Sequence, residues 1–208
     1  MRRSSGAVAA FTFTLATLAY IWLIRPTFPG AIWLLVAWIA AAFLLRQETI
    51  ASLGLSPRVA FEASWAWRYS LAVTVAIAAF TASGFVWRRT LAYAAWAVIQ
   101  QLVYQNMVYK PLRNDWGMGW RTRCAAAGLF AAAHLPNPVL TPATFAWGAA
   151  SSRLFDRRPS VWALAALHVA LSAALFSLTP QEWKRSFRVG PGFWQAAPAG
   201  VRIEPPPS

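Results

Sequence analysis

Acidic residues are scarce in this chain: six of 208, against 19 lysines and arginines. They are Glu48, Glu62, Asp115, Asp156, Glu182 and Glu204, and none lies inside a long apolar run. No apolar segment therefore brings its own carboxylate for acid–base work or for holding a metal. Charged residues of all kinds make up 12%, about half the share in a soluble domain. Cysteine occurs once, as Cys124, which excludes an internal disulfide and any cysteine-based metal cluster. Its simplest role is that of a small helix residue. Histidine occurs twice, as His134 and His168. A zinc or iron site normally takes three or four protein ligands, so neither metal nor cofactor is expected.

Apolar residues are abundant, at 58%. The apolar runs are too many for a soluble core to hide, so lipid must cover them. The expected fold is all-α, a polytopic transmembrane bundle of about seven membrane helices. The segments are Ala7–Ile24, Ala31–Leu45, Tyr69–Val86, Leu91–Tyr109, Cys124–His134, Ala143–Phe155 and Val161–Leu178. Arg2-Arg3 ahead of the first would suit a secretory signal. That run ends at Trp22 and Arg25-Pro26 without a small-residue cleavage site, which favours an uncleaved span. The polar stretch Arg46–Arg68 reads as the longest loop, and Glu204–Ser208 as a disordered Pro-rich end. The chain divides into N-terminal helices (1–50), a membrane core (51–180) and a tail (181–208).

A net charge of +13 raises the question of nucleic acid. The basic residues instead form short clusters between apolar runs, as in loops that face anionic lipid and the cytoplasm. No nucleic-acid partner is expected, and the bilayer is. Several of the 13 tryptophans, among them Trp22, Trp87, Trp116, Trp120 and Trp162, sit near segment ends, where amphipathic rings suit the headgroup layer. Seven alternating spans put Arg2, Arg3, Arg46, Arg58, Arg68, Lys110, Arg113, Arg121, Arg123, Arg153, Arg157 and Arg158 on the side of the N-terminus. Only Arg25, Arg88 and Arg89 fall opposite, before the tail. That predicts a multi-pass protein of the cell membrane with a cytoplasmic N-terminus. The basic tail then falls on the opposite side, which implies either a miscounted span or a re-entrant segment.

Polar residues within membrane helices are costly and usually functional. Three places qualify. Gln100-Gln101-Leu-Val-Tyr104-Gln105-Asn106 puts Gln101 and Gln105 on one helix face, with Gln100 and Tyr104 beside it. Such amides either glue helices together or line a site. His134 closes a helix broken by Pro136 and Pro138, and the next helix can be capped by Thr141, with Pro142 in its first turn. A histidine bonded to a backbone carbonyl at a helix end would explain His134 alone. His168 and Ser172 lie four apart on one face.

This pattern resembles the CPBP family (CAAX protease and bacteriocin-processing, or Abi, proteins), which is related to the type II CAAX prenyl endopeptidases. The family motifs are Glu-Glu-x-x-x-Arg, Phe-x-x-x-His and His-x-x-x-Asn, each on its own helix. The resemblance spans Ser52–Phe176. It begins at Leu53-Gly54-Leu55-Ser56-Pro57-Arg58. It continues through Gln100-Gln101-Leu-Val-Tyr-Gln105 with Pro111-Leu112-Arg113, then Phe130 and His134 with Leu-Pro-Asn137-Pro, then His168. By resemblance, His134, His168, Gln100 and Gln101 occupy catalytic positions, while Gln105, Tyr104, Asn137 and Ser172 face the substrate. The departures are systematic. Both glutamates are glutamine, the arginine is Gln105 and the asparagine is Ser172. An amide cannot take a proton from water, and losing a general base costs about a hundred- to ten-thousandfold in rate. Replacing acids and arginine together avoids an unpaired buried charge.

The expectation is a CAAX protease-like membrane protein acting on a hydrophobic or prenylated peptide, without ordinary glutamate-dependent proteolysis. Two alternatives stand beside it. One is a non-catalytic membrane binding or chaperone-like protein. The other is a histidine-based membrane enzyme acting on a prenyl lipid. A purely structural membrane subunit would point its glutamines at neighbouring helices.

Overall fold

The computed structural model describes residues 5–62, 67–71, 87–180, 183 and 187–195. These form helices and turns, with no strand among the described residues. An apolar chain has a physical reason to be helical: in a low-dielectric surrounding each backbone N–H and C=O must be satisfied, and a helix does this within one segment.

Helix α1 (Ser5–Ala19) extends through a π-helical turn to Ile24. Helix α2 is Ile32–Leu45 and α3 is Pro57–Glu62, with proline at the first position, where its missing N–H costs nothing. Helix α4 (Trp87–Val103) passes through a π-helical turn, Tyr104–Tyr109, into α5 (Lys110–Trp116), so that one unbroken helical rod runs from Trp87 to Trp116. Gly117, at φ +80°, ends it. Helices α6 (Trp120–Ala132), α7 (Leu140–Arg157) and α8 (Val161–Leu178) follow, with a short α9 (Gly192–Gln195) in the tail. The Ser160 side chain caps α8 by accepting from Ala163 N at 3.2 Å.

Two of these, Ser5–Ile24 and Val161–Leu178, are long and apolar enough to cross a membrane, and α2 is apolar but shorter. At about 1.5 Å per residue, the 18 residues of α8 nearly match a hydrocarbon core of about 30 Å.

Polar bonds fix which helix ends lie together. Asp115 at the end of α5 accepts from Ala7 N at the start of α1 (2.7 Å). Asp156 at the end of α7 pairs with Arg113 of α5 (3.2 Å) and Arg123 of α6 (2.8 Å) and accepts from the Tyr109 hydroxyl. The starts of α1 and α6 and the ends of α5 and α7 thus share one end of the bundle. At the other end, Gly190 N of the tail bonds Leu135 O after α6 (2.7 Å), and Gly190 lies against Ile21 of α1. The tail therefore lies at the far end from the Asp156 cluster without any described segment turning back.

The α4–α5 rod is central. Tyr104, Met107, Val108, Tyr109 and Leu112 are buried against Phe13, Trp147, Phe155 and Leu164. All six residues of its π turn are buried, because α1, α6 and α7 pack around the rod at that level. Helices α6 and α7 meet through small residues. A Cβ on Gly148 would sit 3.1 Å from Ala127 Cα, the close approach that small faces permit.

Several expectations change. The fourth segment does not end at Tyr109 but runs to Trp116. The Arg46–Arg68 stretch is not a plain loop, since it contains α3. The cap of α7 is Asn137 rather than Thr141: Asn137 Oδ1 accepts from Val139 N (3.0 Å) and Leu140 N (2.9 Å), while Thr141 Oγ1 donates to His134 O (3.2 Å). Apart from residues 69–71, the Tyr69–Val86 segment lies outside the described residues, as does the Glu204–Ser208 end.

Candidate functional site

Tyr93, Ala97, Gln101 and Gln105 succeed one another at four-residue steps, making a single stripe along α4 and its π turn. Ala97 is fully buried and small. Gln101, also fully buried, joins two neighbours. Its Oε1 accepts from Gln105 Nε2 (3.3 Å), and its Nε2 reaches His168 Nδ1 on α8 (3.2 Å). Gln105 Nε2 also donates to Ser151 Oγ on α7 (3.2 Å). On the other side of the imidazole, Tyr93 OH lies 3.3 Å from His168 Nε2 and 3.1 Å from Ser172 Oγ.

The donors and acceptors can be followed in one direction. Ser151 Oγ donates to Gly148 O (3.1 Å), so its lone pairs receive the Gln105 amide. The second N–H of Gln105 goes to Gln101 Oε1, and Gln101 Nε2 donates to His168 Nδ1. His168 is then the neutral tautomer with its hydrogen on Nε2, given to the Tyr93 oxygen. The Tyr93 hydroxyl donates to Ser172. Both ring nitrogens of His168 are consumed. No aspartate or glutamate among the described residues bonds to this network.

His134 is in a different state. It is partly buried, and its Nδ1 lies 3.0 Å from Phe130 O, one turn back. A carbonyl accepts only, so Nδ1 carries the hydrogen and Nε2 keeps its lone pair. The Phe130 ring packs edge-on against His134 at 5.0 Å and tilted against Tyr104 at 4.7 Å. His134 is near enough to His168 to interact with it electrostatically, but it makes no hydrogen bond to the amides. Among the described residues, His134 Nε2 has no hydrogen-bond partner, while both ring nitrogens of His168 have one.

The remaining site residues divide. Tyr104 OH bonds Ser152 Oγ (2.8 Å) and Gly148 O (3.0 Å), which ties α4 to α7. Asn137 is fully buried. Beyond its capping bonds, its Nδ2 donates to Arg188 O in the tail (3.2 Å). Gln100 lies one position off the stripe, and its Oε1 is buried without a protein partner. Gln105 Oε1 and Trp147 Nε1 are also buried and unpartnered. Trp147 stands one helical turn before Ser151, with its ring 5.9 Å from His168. Unpaired groups of this kind are few in folded proteins and call for an explanation.

Sequence reasoning missed Tyr93, Trp147, Ser151 and Ser152. The four-residue step back from Gln101 through Ala97 could have found Tyr93. Nothing in the sequence singles out Trp147 or the two serines, which join only when α7 packs on α4. Among the described residues no three His, Cys, Asp or Glu side chains converge.

Residues 82–174 match the family described as type II CAAX prenyl endopeptidase Rce1-like. No curated protein and no solved structure matches the chain closely enough to establish a relation. The matched stretch carries all three motif positions and begins later than the Ser52 expected from sequence. Leu53-Gly54-Leu55 lies outside it, packed on the α7–α8 turn through Val161 N→Gly54 O (2.8 Å). Over residues 82–174, the stretch that carries the three motifs, the chain is similar to the type II CAAX prenyl endopeptidase Rce1-like family.

Proposed function

We propose that this protein keeps the intramembrane site of a CAAX protease-like fold and binds a hydrophobic or prenylated peptide there, without glutamate-dependent hydrolysis. One observation carries the reading. Gln101 is hydrogen-bonded to His168 and to Gln105 in a neutral network, and no carboxylate among the described residues bonds to it. Water attacking a peptide bond needs a base, and neither an amide nor a doubly bonded imidazole is one. Three buried polar atoms, Gln100 Oε1, Gln105 Oε1 and Trp147 Nε1, have no partner among the described residues and offer two acceptors and one donor. A peptide group supplies the complementary donor and acceptor, as in apolar pockets with a few polar contacts.

The second reading is an enzyme in which His134 is the base, acting on a peptide or a prenyl lipid. What favours it is the free Nε2 of His134, held in one tautomer by Phe130 O. Purified protein and its His134→Ala and Gln101→Ala variants decide between the two readings. The assays are cleavage and binding of prenylated and unprenylated peptides. Binding without cleavage, weakened in Gln101→Ala, is the expected result. Cleavage abolished by His134→Ala supports the second reading. Wild-type behaviour of both variants, with neither binding nor cleavage, would leave a structural subunit.

The same proposal includes a multi-pass bundle of about seven spans with a cytoplasmic N-terminus. The alternation of helix ends and the clustering of Arg113, Arg121, Arg123, Arg153 and Arg157 at the end where α1 begins support it. Reporter fusions after Gly119 and after Gln195 should report opposite sides of the membrane.

A further inference from the structure

The end of the bundle built around Asp156 carries an exposed apolar tip beside unpaired cations. The turn from α5 to α6 is Trp116-Gly-Met118-Gly-Trp120. Trp116 is 50% exposed, Met118 67% and Trp120 69%. A Cβ placed on Gly117 or Gly119 would meet nothing within 4 Å, so no described residue covers this tip. Three large apolar side chains on an uncovered turn mark a surface that some partner shields from water.

Charge identifies the partner. Arg113 and Arg123 are both committed to Asp156, which joins the α5–α6 turn to the end of α7. Arg121, on the first turn of α6, and Arg153 and Arg157, on the last turns of α7, are exposed and form no ion pair among the described residues. The Arg121 guanidinium lies over the Trp120 ring at 5.6 Å, so cation and aromatic wedge act as one unit. Of the two described acids at this end, Asp115 accepts from Ala7 N, and the Asp156 side chain is only 4% exposed and already paired with two arginines. The surface is therefore net positive.

We infer that Arg121, Arg153 and Arg157, with the Trp116–Trp120 turn as a wedge, bind anionic phospholipid headgroups. The tryptophans and Met118 would enter the headgroup–acyl boundary, and the guanidiniums would take the phosphates by charge-assisted hydrogen bonds. A protein partner would need an acidic apolar patch, and nothing in the structure calls for one. This surface is distinct from the Gln101–His168 network and stands or falls apart from any ligand bound there.

The test uses the full-length protein in nanodiscs of phosphatidylcholine, with or without phosphatidylglycerol. The lipids that stay bound on release are counted by native mass spectrometry. Wild type should retain phosphatidylglycerol in preference to phosphatidylcholine. Each of Arg121→Gln, Arg153→Gln and Arg157→Gln should lower that preference, by about fivefold where the lost contact acts near the membrane surface. Arg25→Gln, at the opposite end of the bundle, should leave the preference unchanged and serves as the folding control. Equal retention of the two lipids by wild type would overturn the inference, as would an unchanged preference in the triple variant. Loss of the preference on adding inorganic phosphate at constant ionic strength would assign the site to free phosphate rather than to lipid. Loss of the preference only with an added acidic peptide would assign it to a protein.

Discussion

If Gln101 and His168 are mutually dependent, replacing both should cost less than the sum of replacing each alone. Gln101→Leu keeps the bulk but removes the donor to His168 Nδ1 and the acceptor for Gln105 Nε2. Gln105 still has Ser151, so the main penalty is the ring nitrogen left buried and unpaired, about 1–3 kcal/mol. His168→Leu strands the Gln101 amide on one side and leaves Tyr93 with Ser172 alone, a similar cost plus some lost packing against Trp147. The double variant removes both partners, and matched removal is nearly neutral in polar terms. The double variant should therefore recover about 1–2 kcal/mol relative to the sum of the singles, within the usual range for directly bonded residues. Membrane hydrogen bonds often measure at the low end of such ranges. Reversible unfolding in mixed micelles, followed by circular dichroism, gives the four stabilities of the cycle. Additivity within about 0.3 kcal/mol would mean that the two side chains do not depend on one another, and the account of a coupled Gln101–His168 network would be wrong.

Three further outcomes follow from other parts of the molecule. Gln105→Arg alone buries a cation without a carboxylate and should lower stability by about 3 kcal/mol or more; Gln101→Glu in the same chain should restore much of it, and no recovery in thermal midpoint would refute the charge-balance reading. Burial pulls the Glu48 carboxyl upward, but the Ser52 hydroxyl, the Lys110 ammonium and Arg46 together outweigh it and leave its pKa below the usual value. Its stabilisation is present above the ordinary carboxylate range and disappears as pH falls through the depressed value, so Glu48→Gln should flatten the acid limb of a midpoint-versus-pH curve. Gly190→Ala places a Cβ 2.7 Å from Ile21 Cγ2 at a residue with φ +60°. The left-handed backbone alone should cost about 1–2 kcal/mol, seen as faster proteolysis of the tail.

The relation to the family was readable from spacing. Phe130 and His134 lie one helical turn apart, as do Gln101 and Gln105, and as do His168 and Ser172. A motif on a helix is local, so three of them survive in one dimension. The matched stretch, 82–174, contains them all. The helices were likewise readable from their apolar runs, except where local chemistry overrode the pattern. In the sequence the fourth segment stops at Tyr109, because Lys110, Arg113 and Asp115 look like loop. In the structure Lys110 reaches Glu48 (3.0 Å) and Arg113 reaches Asp156 (3.2 Å), so the helix continues through them.

Sequence alone determined the apolar helical character, the lack of any acid within the apolar runs, and the pairs that share a helix face. All three depend on residue type and on the period of one helix. Packing decided the rest. It joined Gln101 to His168 rather than to His134, brought in Tyr93 and Ser151, left Trp147 Nε1 unpaired, and turned Asn137 into a cap and tail tether. It also gave the two histidines opposite roles, because a ring nitrogen's state is set by whichever donor or acceptor lies about 3 Å away. That neighbour comes from another helix for His168 and from the same helix for His134.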